Sequence, residues 1–231
     1  GDDRGGRTPI NRGSGKDGWS VQDLPSPTLD PVGCKRPGKL RDGSFVCNPD
    51  ELLSISGAQR VDHELGGISK LESPCGGRNS SQRIEGGVAM ISRMLPYPGA
   101  PVSGAGGGGG FPVEVEAFAQ GVQDAWRIGK RGCNNGFLLF ASKEDRNFAI
   151  SVGSGLEPYL TPKDRKATLS LMKPLLRKGD WDTAVLVAVQ EIGRRLQRSL
   201  DKDKAQPLTV DEGSKGMFQK IMSGGDLLRG A

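Results

Sequence analysis

The chain has 231 residues, of which 35% are hydrophobic and 5% aromatic, while Gly (36) and Pro (15) together exceed a fifth of the total. That composition excludes a chain packed from end to end and predicts one core of about 130 to 150 residues with loose arms. The formal net charge is +5, with 32 basic and 27 acidic residues interleaved along the chain, which argues against a nucleic-acid partner, whose binders gather cations into a stripe with stacking aromatics.

In chain order, residues 1 to about 18 are Gly, Arg, Asp and Ser with little that is apolar, and predict disorder. Residues 19–46 are rich in Pro, Gly and charge and predict an extended arm, so that residues 1–46 precede the domain proper. Asn48-Pro49-Asp50 makes a turn, after which Ser54 or Ser56 caps a helix with Ala58, Val61 and Leu65 on one face. A polar loop over residues 75–82 leads to a first strand predicted at residues 88–94. Residues 96–111, with five consecutive glycines, read as a low-complexity insertion. Phe118, Val122, Ala125 and Trp126 then recur as one face of a second helix.

The apolar run 136–141 predicts a buried strand, residues 143–146 a polar turn, and residues 147–152 the returning arm of a hairpin with Phe148, Ile150 and Val152 on one side. Thr161-Pro162-Lys163-Asp164 is a strong helix start, with an N-cap threonine, proline at the first helical position and an acid at the third. Leu169, Met172, Leu175 and Leu176 form its inner face, and Gly179 stops it. A last helix runs from residue 181 to about 200 with Val185, Val189, Ile192 and Leu196 inward. Its Arg194, Arg195 and Arg198, the densest basic patch, read as a solvated face. Residues 201–231 form a polar tail with a short helix around 217–222. The order predicts a three-layer α/β/α sandwich on a small mixed sheet, built from a βαβ unit with parallel strands plus a hairpin, over residues 47–200.

No apolar run approaches the ~18 residues of a membrane span. The sequence starts at Gly1 without Met or an apolar leader, which reads as a processed or excised segment whose signal peptide or anchor lies outside it. The four cysteines, Cys34, Cys47, Cys75 and Cys133, contain no C-x-x-C pair, and His63 is the only histidine. This spacing argues against structural zinc and for two disulfides in an oxidising compartment, extracellular or luminal. Three pairings are open; the expected one joins Cys34 to Cys47 locally and Cys75 to Cys133 across the fold. Asn79-Ser80-Ser81 is an N-glycosylation sequon.

The hairpin decides which polar groups meet. Asn134 and Asn135 enter its first strand and residues 153–157 leave its second, so antiparallel pairing puts both at one end of the sheet. Asn134, Asn135 and Glu157 are candidate oxygen ligands for calcium or another divalent cation. Gly153, Gly155 and the helix start at Thr161 are candidate ligand contacts. Asp145 and Arg146 lie at the opposite end, as a structural ion pair or part of a second acidic site. Other apparent motifs fail: the G-x-G-x-x-G within residues 104–109 follows no periodic strand, and Gly13-Ser-Gly-Lys16 lacks the rest of a phosphate loop. Asp180-Trp181-Asp182-Thr183 caps a helix instead of ending a strand, and nothing supports a His-based triad.

Several ordered motifs carry a resemblance. Trp126-Arg-Ile-Gly129, Cys133-Asn-Asn-Gly136 before an apolar strand, Asp145-Arg146, Val152-Gly-Ser-Gly-Leu-Glu157 and Arg177-Lys-Gly-Asp-Trp181 together resemble the TPM domain over about 150 residues. The segment from Trp19 through Cys34 to Cys47-Asn-Pro-Asp-Glu-Leu-Leu-Ser54 is similar to the extracellular subgroup typified by the modulator of the levamisole acetylcholine receptor. That subgroup implies secretion, disulfides, a membrane anchor and an accessory role beside a membrane receptor, hence a protein partner. Other TPM proteins imply a metal-binding acid phosphatase or a protein of the bacterial envelope. The chain departs from the family at Asn48, where aspartate is usual, and at Cys133. The expected function is a non-catalytic accessory module, with the phosphatase and a structural component of a surface assembly as alternatives.

Overall fold

A computed structural model describes residues 17–35, 38–39, 41–72, 83–95, 114–129 and 133–205. The chain forms two compact units, Gly1–Leu200 and Asp201–Ala231, and the sheet and both of its cores belong to the first. The elements are β1 (Ser44–Cys47), α1 (Ile55–Ile68), β2 (Glu85–Ile91), α2 (Val115–Ala125), β3 (Gly136–Ser142), β4 (Asn147–Val152), α3 (Pro162–Arg177) and α4 (Trp181–Ala205). The four strands form one mixed sheet in the order β1-β2-β3-β4. β1, β2 and β3 run parallel and β4 is antiparallel to β3. The mixed α/β architecture and the hairpin are as the sequence predicts.

Each central strand is buried on both faces, and its residues alternate between two cores. Val88 and Met90 of β2, with Phe137 and Leu139 of β3, join Leu65 of α1, Met172 of α3 and Val185 and Ile192 of α4. Ala89 and Ile91, with Leu138 and Phe140, face the other way onto Phe118 and Val122 of α2 and onto Val21, Leu24 and the Cys34–Cys47 disulfide. The Phe118 and Phe140 rings stack tilted with centroids 4.9 Å apart.

The differences from expectation have physical causes. β2 begins at Glu85, three residues earlier than the apolar pattern suggests, because Gly86 and Gly87 occupy sheet positions where no side chain fits. A Cβ on Gly86 would lie 2.7 Å from both Leu65 Cδ2 and Phe137 Cζ, and one on Gly87 2.6 Å from Ile128 Cδ1. After Ile91 the chain leaves the ladder, and Met94 bridges instead to Trp19. On α2, Ala125 is exposed and Ala119 is buried in its place.

Residues 19–35 run as successive turns packed on the second core, tied by the disulfide, and the segment ends in the edge strand β1, which composition did not reveal. The expected Cys34–Cys47 bridge is present, and Cys133 is disulfide-bonded as well. Cys75, the Asn79 sequon, the insertion 96–111 and the tail segment 217–222 lie outside the described residues. No helix among the described residues is long and apolar enough to cross a membrane.

Gly86→Ala should destabilise the fold by about 1 to 3 kcal/mol through overpacking against Leu65 of α1 and Phe137 of β3. Urea denaturation checks this, and a midpoint shift no larger than that of Gly67→Ala, whose Cβ would meet nothing within 4 Å, would contradict it.

Candidate functional site

The two ends of the sheet carry different chemistry. At the end where β4 leaves the ladder, Asn134 has φ +57°, which turns its carbonyl to accept from Gly155 N at 3.1 Å. Gly153 lies so close beneath that a Cβ there would sit 2.1 Å from the Asn134 carbonyl oxygen. Gly129 closes the same corner, its φ of +80° bringing it against Gly136. Asn135 is buried; its Nδ2 donates to Arg83 O at 2.8 Å, and its carbonyl accepts from Glu85 N at 3.3 Å. Sequence reasoning thus brought the right backbone segments together. Glu157 is exposed, and no hydrogen bond or ion pair joins it to either asparagine.

Thr161 is the N-cap of α3, as its sequence predicts. Its hydroxyl accepts from Asp164 N at 3.3 Å, and its own N–H donates to Asp164 Oδ2 at 3.1 Å. Asp164, the anion at this helix start, is also paired with Arg195. Partial burial pulls the Asp164 pKa up, but hydrogen bonds from Thr161 and Arg195 and the Arg195 charge outweigh it, leaving the carboxyl below its ordinary value. Glu191 behaves alike: burial raises it, and Arg194 and Arg195 bring it below the ordinary value. Arg195 is therefore half-buried in an ion-pair network, which corrects its reading as part of a solvated face.

At the opposite end, past the C-termini of the parallel strands, two carboxylates grip one stretch of backbone. Asp50 Oδ2 accepts from Ser92 N at 2.5 Å, and both its oxygens accept from Trp19 Nε1, at 3.1 and 3.0 Å. Asp145 Oδ2 accepts from Met94 N at 2.7 Å and from the Ser142 hydroxyl. Asp145 makes no ion pair with Arg146 among the described residues; the donors of Met94 and Ser142 take its carboxylate. The ladder pairing Phe137 with Val152 and Ser142 with Asn147 sets this end a strand length from Asn134, as predicted. Asn48 is buried and clamps its own turn, donating to Leu53 O at 2.8 Å and accepting from Leu53 N at 3.1 Å. Asp50 was missed by sequence reasoning, because its partners Trp19 and Ser92 lie far from it along the chain.

Among the described residues no group of three or more His, Cys, Asp or Glu side chains could hold a metal ion. Of the oxygen donors that the sequence offers there, the buried Asn135 amide serves Arg83 and the Glu157 carboxylate is exposed.

The modulator of levamisole receptor-1 family matches residues 19–146, more than half of the chain. The chain belongs to this family. The match includes the stapled segment, β1 to β3 and both acids that hold residues 92–94. The TPM domain matches residues 111–195, from α2 into α4 of this modulator-family chain. Its fold is shared with the N-terminal domain of a protein from P. gingivalis solved by NMR, at TM-score 0.51 and 20% identity, over 79% of this chain and 94% of that one. The BA42 protein of Bizionia argentinensis aligns at TM-score 0.45 and 14% identity, over 66% of this chain and 86% of that one. No curated protein matches the chain.

The lowered acids give a pH prediction. A carboxyl whose folded pKa lies below its unfolded value adds stability above the unfolded pKa, and that stability is lost as pH falls through the folded pKa. Arg195→Ala should therefore cost about 2 kcal/mol near pH ~7 and much less near pH ~3. Denaturation midpoints measured across that range check it, and an equal cost at both ends would contradict the network's role.

Proposed function

We propose that this modulator-family chain is a non-catalytic accessory module of an oxidising compartment, extracellular or luminal, that acts by binding a protein partner. The family's name attaches it to a receptor, and a membrane protein is the class of partner proposed. The observation that carries the reading is the loop before Cys34. Leu29 and Val32 stand 87% and 82% exposed on it, three residues apart. Hydrogen bonds within the loop brace it in spite of that exposure. Ser26 O accepts from Leu29 N and Asp30 N, Asp30 O accepts from Cys34 N, and Asp30 Oδ1 accepts from Gly33 N at 3.0 Å. The buried Cys34–Cys47 disulfide anchors its end. A single exposed apolar residue is ordinary, but two on one hydrogen-bonded loop offer contact area at reduced entropic cost on binding.

The rival reading, a divalent-metal-dependent acid phosphatase, needs carboxylates free to meet a cation. Asp50 and Asp145 are engaged by backbone N–H groups, Trp19 and Ser142, which supports a structural use of both. A structural component of a surface assembly would use the same apolar loop and differs only in stoichiometry.

Two measurements test the proposal. Pure protein assayed on a chromogenic phosphomonoester should show no turnover that a chelator abolishes; chelator-sensitive turnover would refute the non-catalytic half. A photoreactive residue placed at Val32 in native cells should yield one discrete cross-linked protein that the same probe at Lys143 does not. Identical patterns from both sites would sink the partner loop.

A further inference from the structure

α3 carries a feature that the interleaved charges of the sequence conceal. Lys163, Lys166, Ser170, Lys173 and Arg177 are all exposed. Their spacing of three, four, three and four residues puts them on one face of the helix. At 1.5 Å per residue the four cations extend over about 21 Å of helix, with Pro174 inside the last turn. The opposite face is spent on the core through Met172, with Leu169, Leu175 and Leu176 packed beside it. The one acid of α3, Asp164, lies off this line and is neutralised by Arg195. None of the four cations is ion-paired among the described residues. Like charges one turn apart destabilise a helix, and Lys163 in the first turn also opposes the helix dipole. Asp164 in the first turn and Arg177 in the last suit the dipole, but no acid stands along the line to offset the repulsion among its cations.

We infer that this outward face of α3 binds a linear sulfated polysaccharide. A line of cations matches a chain-like polyanion, whereas a planar surface would be met by a patch. The face holds no aromatic residue, so it lacks the stacking platform of a single-stranded nucleic-acid site. Three of its four cations are lysines, compact point charges that tolerate the varied geometry of sulfate groups; carboxylates on an acidic protein segment are matched better by arginine forks. Anionic lipids concentrate on the cytoplasmic leaflet, the far side from an oxidising compartment. The choice of polysaccharide over lipid therefore rests on the compartment assigned under the proposed function, while the cationic line itself does not.

The experiment uses the purified, oxidised full chain and heparin as the probe, with affinity measured at several salt concentrations. Binding should weaken with salt, and Lys166→Glu/Lys173→Glu should lower affinity about tenfold or more. Lys70→Glu/Lys143→Glu, which changes net charge equally on exposed residues elsewhere, should lower it less than about threefold. Heparin stripped of sulfate should bind far more weakly. Should the charge-reversal pair melt early, Lys166→Gln/Lys173→Gln carries the same expectation. No heparin binding, equal losses from the two double variants, or equal affinity for desulfated heparin would each overturn the proposal. So would preferential binding to phosphatidylserine vesicles or to polyglutamate through the same lysines. Thiol titration of the native protein reports on the compartment separately. Free thiols would remove that reading without altering the heparin result.

Discussion

Strand β2 is packed from both sides at once, and the whole molecule is arranged around that demand. Its even residues, Val88 and Met90, belong to one core and its odd residues, Ala89 and Ile91, to the other. Strands in a sheet covered on both faces read as continuous apolar runs, since neither side meets water. Here the run is interrupted at Gly86 and Gly87, because Leu65, Phe137, Ile128 and Leu138 already fill the space that two more side chains would need. The glycines weaken the strand intrinsically, and the close approach that they permit draws α1 and the Trp126–Gly129 turn onto opposite faces. The second glycine corner, Gly129 against Gly136, sets where β3 begins. Removing side chains at these points is what lets three layers close.

The same economy governs the acids. Parallel strands end with carbonyl and amide groups that need partners once the chain turns away. Asp50 and Asp145 supply them, accepting from the N–H groups of Ser92 and Met94 where β2 gives way to the segment leading to α2. In open α/β sheets this edge is where ligands ordinarily bind, and here the side chains that would greet one hold the protein's own backbone. Trp19 extends the arrangement: its indole N–H reaches Asp50, and its backbone pairs with Arg93 and Leu95. The N-terminal segment is thereby built into the sheet's end. At α3 the pattern repeats, with Asp164 serving as the anion for its own helix.

Features written within a few neighbouring residues were legible in the sequence. The hairpin 136–152 showed itself because apolar run, turn and alternation are contiguous, and the capping box because it needs only Thr161 to Asp164. The Cys34–Cys47 bridge is equally local. What stayed hidden depends on residues far apart. β1 has four residues and pairs with β2 some forty positions later, so no local period marks it. The Asp50 site needs Trp19 and Ser92, which only the folded sheet brings together. Arg195 read as solvent-facing because its partner Asp164 lies on another helix. The cationic line on α3 is concealed for a different reason: Ser170 and the intervening leucines dilute the charge along the chain until the helix is wound.

The two proposed surfaces belong to opposite layers, and that placement constrains how the module works. The Leu29–Val32 loop is continuous with Val21, Leu24 and the disulfide, all packed on the α2 side. α3 packs through Met172 on the side of α1 and α4. A ligand on one surface therefore leaves the other open, and neither has to displace part of the fold to bind. The chemistry of the two also differs in its response to conditions. The apolar loop should be insensitive to salt, whereas contacts to the α3 cations weaken as salt rises. A protein partner held by the loop and a polyanion held by the helix would thus respond independently to ionic strength, which fits a module that links two components better than one that encloses a substrate.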